Sequence, residues 1–316
     1  KLATTFIYVT HDQTEAMTMG MNLGTKLNAD LVIASDPDAD RLAVVCRDNE
    51  GKWVIINGNQ TCMMFSYYNI KALKRLGKMR PENYLVKTIV TSEVIRRIAD
   101  KEGVTLTDEY TGFKWIANRI RMWEGTHKYI GGGEESFGWL GYDAVRDKCA
   151  PSAICLICEI AAYAKDQGMS LYEYLLNIYK EFGFQRETTI NVVRPGKEGA
   201  EEIQQMMANY RQNPPMEIAG EKVIRMKDYK SLVEKDFVNG EWREQPITMA
   251  LNATSNVLQF FTEGGLKVSV RPSGTEPKIK FYFEIPADMP TTADYKAATA
   301  AAEARVPAIK ASLGIE

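Results

Sequence analysis

Three short polar stretches contain residue types that could do chemistry, and the first is SDPDADR at 35–41. Asp36, Asp38 and Asp40 alternate directly after a short apolar run. Three carboxylates this close repel one another, and a hard divalent cation bound through oxygen relieves that repulsion. Arg41 follows at once and suggests that an anionic ligand lies beside the ion. The stretch therefore predicts a Mg²⁺ or Ca²⁺ site at the end of a strand.

Other interpretations of this acidic stretch differ in strength. An EF-hand is excluded, because Arg41 stands where that loop needs glycine and Arg47 where it needs a bidentate glutamate. A haloacid-dehalogenase-type phosphatase stays open, with Asp36 as its nucleophile, although Asp40 stands where such enzymes usually carry Thr or Val. A solvated acidic turn also stays open.

The second stretch is GGGEESFG at 131–138. Consecutive glycines permit close backbone approach and positive φ, so we predict that a strand breaks here into a glycine-rich loop. Glu134 and Ser136 would present polar groups to a ligand, and a carboxylate that accepts two hydrogen bonds suits the vicinal diol of a sugar. A tight turn with solvated acids is the alternative.

The third stretch is RPSGTEPKIKFY at 271–282, between two predicted strands. Arg271 can form paired hydrogen bonds with a phosphate, and Ser273 and Thr275 offer hydroxyl groups. Gly274 allows neighbouring backbone N–H groups to converge on an anion. The spacing is not that of a Walker A loop, and a plain turn is the alternative.

The elements around these stretches indicate the fold class. Apolar runs of strand and helix type alternate from residue 20 to about 183, which is typical of an α/β protein with a parallel or mixed sheet. One helix there should bury Val94, Ile95, Ile98 and Ala99, and Ser170 with Glu173 should form a capping box. Beyond a boundary near 184 we predict an α+β domain that ends in a helix over about 291–312.

The amino-acid composition limits the classes of binding partner that we expect. A net charge of −2 argues against non-specific nucleic-acid binding, and the longest apolar run, 150–164, is too short for a membrane span. We therefore expect no nucleic-acid and no membrane partner, and a cytoplasmic location. Five cysteines without regular spacing suit reduced thiols, and we predict that Cys155 and Cys158 are buried core thiols rather than metal ligands.

The three stretches, with TGFKWIA at 111–117 and VRDKC at 145–149, resemble the α-D-phosphohexomutase family of phosphoglucomutases and phosphomannomutases. The resemblance covers roughly 15–316. NGNQ at 57–60 looks most like the phosphoglucomutase-2-like bacterial phospho-sugar mutases. The resemblance to the family implies that the chain contains part of domain 2 and all of domain 3, each built on a mixed or parallel sheet. A C-terminal domain 4 with an antiparallel sheet would follow. The implied ranges are 1–20 (a foreign or remnant segment), 21–62 (partial domain 2), 63–184 (domain 3) and 185–316 (domain 4).

The resemblance also implies roles for the residues. Asp36, Asp38 and Asp40 would hold Mg²⁺, with Arg41 and Lys148 supporting the reaction. Sugar hydroxyls would be bound by Thr111, Gly112, Glu134 and Ser136. Phosphate would be bound by Arg271, Ser273, Gly274, Thr275, Lys280, Lys114 and Arg146. The family often has an aspartate where this chain has Cys149, so a role for that residue is not implied.

The implied reaction moves phosphate between C1 and C6 (or C5) of a sugar through a phosphoserine enzyme and a sugar bisphosphate. The family's phosphoserine loop, T-A-S-H-N-P, is absent from the sequence, whose histidines are His11 and His127. We therefore expect a missing N-terminal phosphoserine domain and no turnover by this chain alone. The full-length enzyme would use a glucose 1,6-bisphosphate-type activator. A non-catalytic sugar-phosphate-binding remnant stays open, as does the identity of the sugar.

The opening residues carry a different resemblance. TTFIYVTHDQTEAMTMG is similar to the switch-histidine segment of sugar-importer ATP-binding cassette ATPases, with His11 as the histidine. The other nucleotide-binding motifs of those ATPases are absent from the chain, so we expect no nucleotide binding. The two resemblances overlap at 15–20, and we hypothesise a chimera there.

Overall fold

The computed structural model describes residues 7–9, 13–274 and 276–315. The chain forms two compact units, Lys1–Phe182 and Gly183–Glu316, which we name the N-terminal and C-terminal units and describe separately. The sequence placed a boundary near 184. The predictions made for His11 and Thr275 lie outside the described residues.

The first sheet of the N-terminal unit positions the acidic stretch. Its strands lie in the order β1-β2-β3-β4, with β1 parallel to β2 and the remaining pairs antiparallel. Helix α1 (Gln13–Lys26) packs against β2. The strands are β1 (Ile7–Val9), β2 (Leu31–Ser35), β3 (Leu42–Arg47) and β4 (Trp53–Ile56). Because Ser35 pairs with Leu42, the acidic residues form the connection of a β2–β3 hairpin.

The second sheet has the order β6-β5-β7-β8, in which β5 is parallel to both β6 and β7. Its strands are β5 (Asn83–Thr88), β6 (Thr105–Glu109), β7 (Lys128–Glu134) and β8 (Gly138–Leu140). The helices of this part are α2 (Gly58–Arg75), α3 (Val94–Glu102), α4 (Phe113–Met122), α5 (Ala150–Asp166) and α6 (Leu171–Phe182). Parallel pairing brings the carboxyl ends of β5, β6 and β7 to one edge of the sheet.

Local sequence signals account for several of these helices. In α3 the buried residues are Val94, Ile95, Ile98 and Ala99, which confirms the predicted apolar stripe. At the start of α6 the Ser170 N–H donates to Glu173 Oε2 at 2.8 Å, and the Glu173 N–H donates to Ser170 Oγ at 3.1 Å. The predicted capping box is therefore confirmed.

The consecutive glycines do not form the predicted loop, because β7 continues through Gly131, Gly132 and Gly133 to Glu134. A Cβ on Gly131 would lie 2.5 Å from the Trp139 ring, and one on Gly133 would lie 2.6 Å from Cys62 Sγ. Close packing favours glycine along this strand, and Gly131 also has φ of 147°, a glycine-favouring conformation, where β7 shifts register against β5.

The prediction that Cys155 and Cys158 are buried core thiols is wrong. Cys155 is exposed and Cys158 is partly exposed. The buried face of α5 contains Ala153, Ile157, Ile160 and Ala164 among others. Residues at this helical spacing share one face, and Cys155 lies on another.

Glu102 joins the last turn of α2 to the last turn of α3. Its carboxylate accepts hydrogen bonds from Lys71 Nζ at 2.7 Å and from Lys74 Nζ at 2.6 Å. Burial opposes ionisation of this carboxyl, but the two lysines outweigh that effect and lower its pKa below the ordinary value of 4.5. The ionised form is therefore favoured by folding.

We expect Glu102→Gln to lower the free energy of unfolding by about 1 kcal/mol at pH 7, because both lysine partners are partly exposed. A lowered folded-state pKa stabilises the protein fully above pH 4.5, and the contribution is lost as the pH falls through the folded-state value. Urea unfolding of the full chain should show that the unaltered protein and Glu102→Gln differ in free energy of unfolding at pH 7. This difference should become smaller in the acid range. Glu201→Gln, which alters an exposed pair with Lys197, is the control; equal sensitivity to pH in both variants would contradict this prediction.

The C-terminal unit is built on one antiparallel sheet of order β13-β12-β11-β14-β15-β16-β9, with β10 paired to β11. Its strands are β9 (Gln185–Val193), β10 (Glu217–Ile218), β11 (Glu221–Asp228), β12 (Val233–Val238), β13 (Glu241–Pro246), β14 (Leu258–Thr262), β15 (Lys267–Pro272) and β16 (Lys278–Pro286). Its helices are α7 (Gly196–Gln212), α8 (Tyr295–Ala304) and α9 (Val306–Ser312). The β15–β16 hairpin carries the third polar stretch.

The single C-terminal helix predicted over about 291–312 is wrong in detail. The region contains a 3₁₀ turn, Thr292–Asp294, followed by α8 and α9. Pro307 lies in the first turn of α9, where its missing N–H costs no intrahelical hydrogen bond. A continuous helix would have required that N–H, so the chain ends one helix and begins another.

None of the helices in the described ranges combines the length and the hydropathy that a membrane crossing requires.

Candidate functional site

The carboxylate of Asp36, the first aspartate of the acidic stretch, stabilises the backbone of the turn that follows it. Asp36 Oδ1 accepts hydrogen bonds from the backbone N–H groups of Asp40, at 3.2 Å, and Arg41, at 3.1 Å. Ala39 has a positive φ of 54°, a conformation that non-glycine residues seldom adopt. The backbone of the turn is thereby closed on the Asp36 carboxylate.

Asp40 is the electrostatic centre of this turn. Lys148 Nζ lies 2.7 Å from Asp40 Oδ2, and Arg41 Nε lies 3.8 Å from Asp40 Oδ1. Burial acts to raise the pKa of Asp40, but the hydrogen bond and charge of Lys148, with Asp36 and Arg41, lower it below the ordinary value. The carboxylate is therefore kept ionised.

The donor set of the acidic turn has the chemistry that a divalent cation requires. All its candidate ligands are carboxylate oxygens, as Mg²⁺ prefers, and Asp40 Oδ1 is buried with no hydrogen-bond donor among the described residues. Asp38 is exposed. Within those same residues, however, no three His, Cys, Asp or Glu side chains are grouped closely enough to hold an ion. The chemistry of the donors fits a hard cation, while Lys148 occupies one oxygen of Asp40.

Glu134 ends β7 and is buried, with 6% of its surface exposed. Its Oε1 accepts a hydrogen bond of 2.8 Å from the backbone N–H of Gly112, which follows β6 and precedes α4. Gly112 has φ of 105°, which favours glycine at this position. Thr111 is partly buried beside it, and Ser136 is exposed. The parallel arrangement of β6 and β7 thus joins Gly112 to Glu134, as one site would require.

The acidic turn and the Glu134 segment lie against each other. Arg41 and Gly138 form an isolated antiparallel bridge, and the Leu42 N–H donates to Phe137 O at 3.1 Å. Lys148 packs along Gly138, where a Cβ would lie 2.3 Å from Lys148 Cδ. The N-terminal unit therefore gathers Arg41, Asp40, Lys148 and the Glu134 segment in one place.

Lys114 and Arg146, two predicted phosphate ligands of this unit, and His127, for which no role was predicted, have contacts elsewhere. Lys114 Nζ lies 5.3 Å from the centre of the Trp115 ring, and Arg146 pairs with Glu124 at 3.1 Å. His127 stacks on Trp123 with ring centres 4.3 Å apart, which is a packing role. None of these three contacts, all within the described ranges, involves the acidic turn or the Glu134 segment.

Cys149, the departure from the family's usual aspartate, occupies the N-cap position of α5. Burial acts to raise the pKa of its thiol, but hydrogen bonding with Ser152 and Tyr142 lowers it overall. Its backbone N–H donates to Trp139 O at 3.0 Å. This backbone hydrogen bond restrains the chain at Cys149 and therefore also the position of the neighbouring Lys148.

In the C-terminal unit the third stretch forms the β15–β16 turn. The Ser273 N–H donates to Lys278 O at 2.8 Å, and Ser273 Oγ accepts from the Glu276 N–H at 3.3 Å. Gly274 is open, because a Cβ on this residue would meet no other part of the described chain within 4 Å. Thr275 lies outside the described residues.

Arg271 and Lys280 are directly opposite each other on β15 and β16, so their side chains share one face of the sheet. Among the residues that the structure describes, neither cation forms an ion pair with a carboxylate. Two adjacent cations repel each other, and an anion between them would relieve that repulsion. The turn thus combines two such cations with the Ser273 hydroxyl and an open glycine.

Comparison with known families supports the same interpretation. A family model described as phosphoglucomutase/phosphomannomutase, alpha/beta/alpha domain III, matches residues 57–182. A second, described as the C-terminal domain of the same family, matches residues 190–302, so together they cover most of the chain. The chain belongs to the phosphoglucomutase/phosphomannomutase family. The domain III match begins next to the start of α2, whereas the predicted domain 3 begins at 63, inside that helix.

Curated members of the family are similar in sequence over most of this chain. A phosphoglucomutase of Staphylococcus haemolyticus (strain JCSC1435) is 33% identical over 277 residues, which cover 88% of this chain and 49% of the relative. A phosphoglucomutase of Staphylococcus aureus (strain N315) is 34% identical over 275 residues, covering 85% and 47%. The chain spans about half the length of the curated relatives it matches.

Solved structures of the family share the fold. Parafusin, a phosphoglucomutase from Paramecium, superposes with a TM-score of 0.60 at 20% identity, over 90% of this chain and 46% of that one. A phosphoglucomutase/phosphomannomutase family protein from Burkholderia thailandensis gives 0.53 at 17% identity, over 95% and 49%. The predicted fold class, α/β followed by a C-terminal domain with an antiparallel sheet, is confirmed.

Sequence reasoning missed residues that pack against the segment following Glu134. Asn57 caps α2 in a capping box with Gln60. A Cβ on the next residue, Gly58, would lie 2.1 Å from Glu135 O. Thr88 and Thr91 contact the Glu135 carboxylate. Asn57 and Gly58 belong to the NGNQ stretch, where the polar cap followed by glycine before an apolar helix was the available signal.

Proposed function

We propose that this chain provides the sugar, metal and phosphate recognition of a phosphosugar mutase of the phosphoglucomutase/phosphomannomutase type. The observation that carries the proposal is the grouping of Gly112 and Glu134 with Asp40 and Lys148 in the N-terminal unit. Membership of the family supports the reaction class, an intramolecular phosphotransfer. The phosphoserine mechanism and the identity of the sugar belong to the proposal.

Each side chain of the N-terminal unit has a role in this proposal. Glu134 would accept hydrogen bonds from adjacent sugar hydroxyls, with Ser136, Thr111 and the Gly112 backbone beside it. Lys148 and Arg41 would place positive charge next to a phosphoryl group and stabilise the charge that develops on it during transfer.

Asp36, Asp38 and Asp40 would hold Mg²⁺, and Lys148 would have to release one oxygen of Asp40 for that purpose. A bound Mg²⁺ supplies positive charge to the oxygens of the transferring phosphoryl group. The protein's own contribution is to hold the turn through Asp36 and to keep Asp40 ionised.

The β15–β16 turn would bind a phosphate group through Arg271, Lys280, Ser273, Gly274 and Thr275. Lys114 and Arg146 are further phosphate ligands in this proposal, and both would have to leave their present partners. A glucose 1,6-bisphosphate-type activator is proposed for the full-length enzyme.

We expect the chain to bind glucose 6-phosphate and not to turn over glucose 1-phosphate, since its sequence contains no T-A-S-H-N-P loop. Glu134→Gln should weaken the binding at least about tenfold, because hydrogen bonds to a charged group contribute roughly 1.5–3 kcal/mol. Calorimetric titration measures the binding, and a coupled assay with added bisphosphate measures the turnover.

Glu50→Gln is the matched control for that titration, because Glu50 is exposed and forms an exposed ion pair with Lys52. It should bind glucose 6-phosphate as the unaltered chain does. Equal affinity of the Glu134→Gln variant and the control would refute the assignment of Glu134, and no binding by the unaltered chain would refute the proposed function. Turnover by the chain alone would refute the expected inactivity.

A further inference from the structure

We infer that Glu135 is a positioning residue, anchored by Thr88 and Thr91, that orients its neighbours Glu134 and Ser136 for sugar binding. This inference rests on the proposed function. It concerns a carboxylate that faces away from the sugar-binding side chains and toward the protein interior.

The anchor is a compact set of hydrogen bonds. Glu135 Oε2 lies 3.3 Å from Thr88 Oγ1 and 3.4 Å from Thr91 Oγ1, and because one hydroxyl donates to the other, the second donates to this carboxylate. Thr91 Oγ1 in turn accepts from the Glu135 N–H at 3.2 Å. The two hydroxyls are 2.7 Å apart, and both threonines are completely buried. Side chain and backbone of Glu135 are thus both bound to the turn that follows β5.

That turn is itself immobilised by a buried cation. Lys87, with 1% of its surface exposed, donates from Nζ to Thr91 O at 3.0 Å. The same Nζ lies 3.0 Å from Glu93 Oε1 and 3.0 Å from Asp108 Oδ1. A lysine with two carboxylate partners and a carbonyl has few alternative positions in the interior. The threonines therefore form a rigid support.

Glu134 and Glu135 are adjacent in the chain but contact different partners, which explains how the threonines can affect sugar binding by Glu134. Glu134 closes β7, and its carboxylate points to Gly112, whereas Glu135 points to the threonines. Glu135 is the first residue of the turn that follows β7, and its hydrogen bonds to Thr91 through both side chain and backbone N–H restrain the peptide unit that it shares with Glu134. Behind Glu135, Gly58 allows α2 to approach its carbonyl closely.

The residues that follow need such an anchor. Phe137 has φ of 69°, a left-handed conformation that costs about 1 kcal/mol or more for a residue with a bulky side chain. Ser136 lies exposed between Phe137 and Glu135. Without the hydrogen bonds to Thr88 and Thr91, the segment would relax toward commoner conformations, and ligand binding would have to order it again.

The test compares Thr91→Val, which removes the hydroxyl at nearly constant volume, with Thr91→Ser, which keeps it. Hydrogen exchange of the unliganded full chain should show faster exchange at the amides of 135–137, by about tenfold, in Thr91→Val and not in Thr91→Ser. The affinity for glucose 6-phosphate should fall about five- to thirtyfold in Thr91→Val and return to within about threefold in Thr91→Ser. Thr126→Val, which removes an exposed threonine hydroxyl, is the control and should change neither readout.

Hydrogen exchange tests the inferred role of Glu135, and binding of glucose 6-phosphate by the unaltered chain tests the proposed function. Unchanged exchange at 135–137 in Thr91→Val would overturn the inference whatever the ligand does. Faster exchange with unaltered affinity for glucose 6-phosphate would overturn it as well, because the anchor would then not serve binding. If the unaltered chain does not bind glucose 6-phosphate, the proposed function fails, and the inferred role in binding fails with it. Glu135→Ala, which removes the acceptor oxygen, provides a second variant if Thr91→Val does not fold, and it should show the same two changes.

Discussion

Replacing Lys267 with methionine is expected to lower the free energy of unfolding by about 3–5 kcal/mol, because it leaves a buried carboxylate without its cation. Lys267 and Glu284 face each other on β15 and β16, with Nζ and Oε1 2.8 Å apart. They are 2% and 3% exposed. Gln185 donates to the same carboxylate from β9, and it cannot neutralise the charge.

The double variant Lys267→Met/Glu284→Leu should recover most of that loss, since it removes both charges and fills the space with apolar groups. Urea unfolding of the full chain for both single variants and the double variant completes the cycle. Lys235→Met is the control, because Lys235 and Glu244 form an exposed pair. A loss of similar size in Lys235→Met, or none in Lys267→Met, would contradict the prediction.

The second large effect is expected for Gly58→Ala, at the start of α2. A Cβ there would lie 2.1 Å from Glu135 O and 2.6 Å from Phe137 N, and both are backbone atoms. Overpacking of this kind costs about 1–3 kcal/mol. The helix or the 135–137 segment must move, so we expect glucose 6-phosphate to bind at least about tenfold more weakly, the equivalent of about 1.4 kcal/mol.

Gly141→Ala is the matched control for Gly58→Ala. The nearest atom to a Cβ on Gly141 is Trp139 Nε1 at 3.5 Å, which is ordinary contact. Thermal unfolding and calorimetric titration of both variants measure the two effects. If Gly58→Ala binds glucose 6-phosphate and unfolds as Gly141→Ala does, the close approach between α2 and the Glu134 segment contributes to neither binding nor stability, and the prediction is wrong.

Much of the fold was predictable because its signals are local. The spacing of apolar residues indicated α3, and Ser170 with Glu173 indicated the start of α6. The change of pattern near 184 reflects a real change of architecture, from parallel pairing about β5 to one antiparallel sheet. The break between α8 and α9 was missed, although Pro307 was its local signal.

The candidate site was predictable only as separate stretches. The sequence by itself determined that carboxylates alternate at 36–40, that a glutamate follows three glycines, and that cations flank Ser273 and Gly274. These are local properties of neighbouring residues, and their chemistry does not depend on the remaining fold. For the same reason, the motifs were sufficient for the resemblance to the family that the comparisons then confirmed.

Only the tertiary structure decided which distant groups meet. Lys148 reaches Asp40, and the Trp139 ring packs closely against Gly131. Lys87 stabilises the threonine turn, and Lys267 meets Glu284 across two strands. Each of these depends on strand register and close packing, which bring together residues far apart in sequence, and residue type alone does not specify such partners.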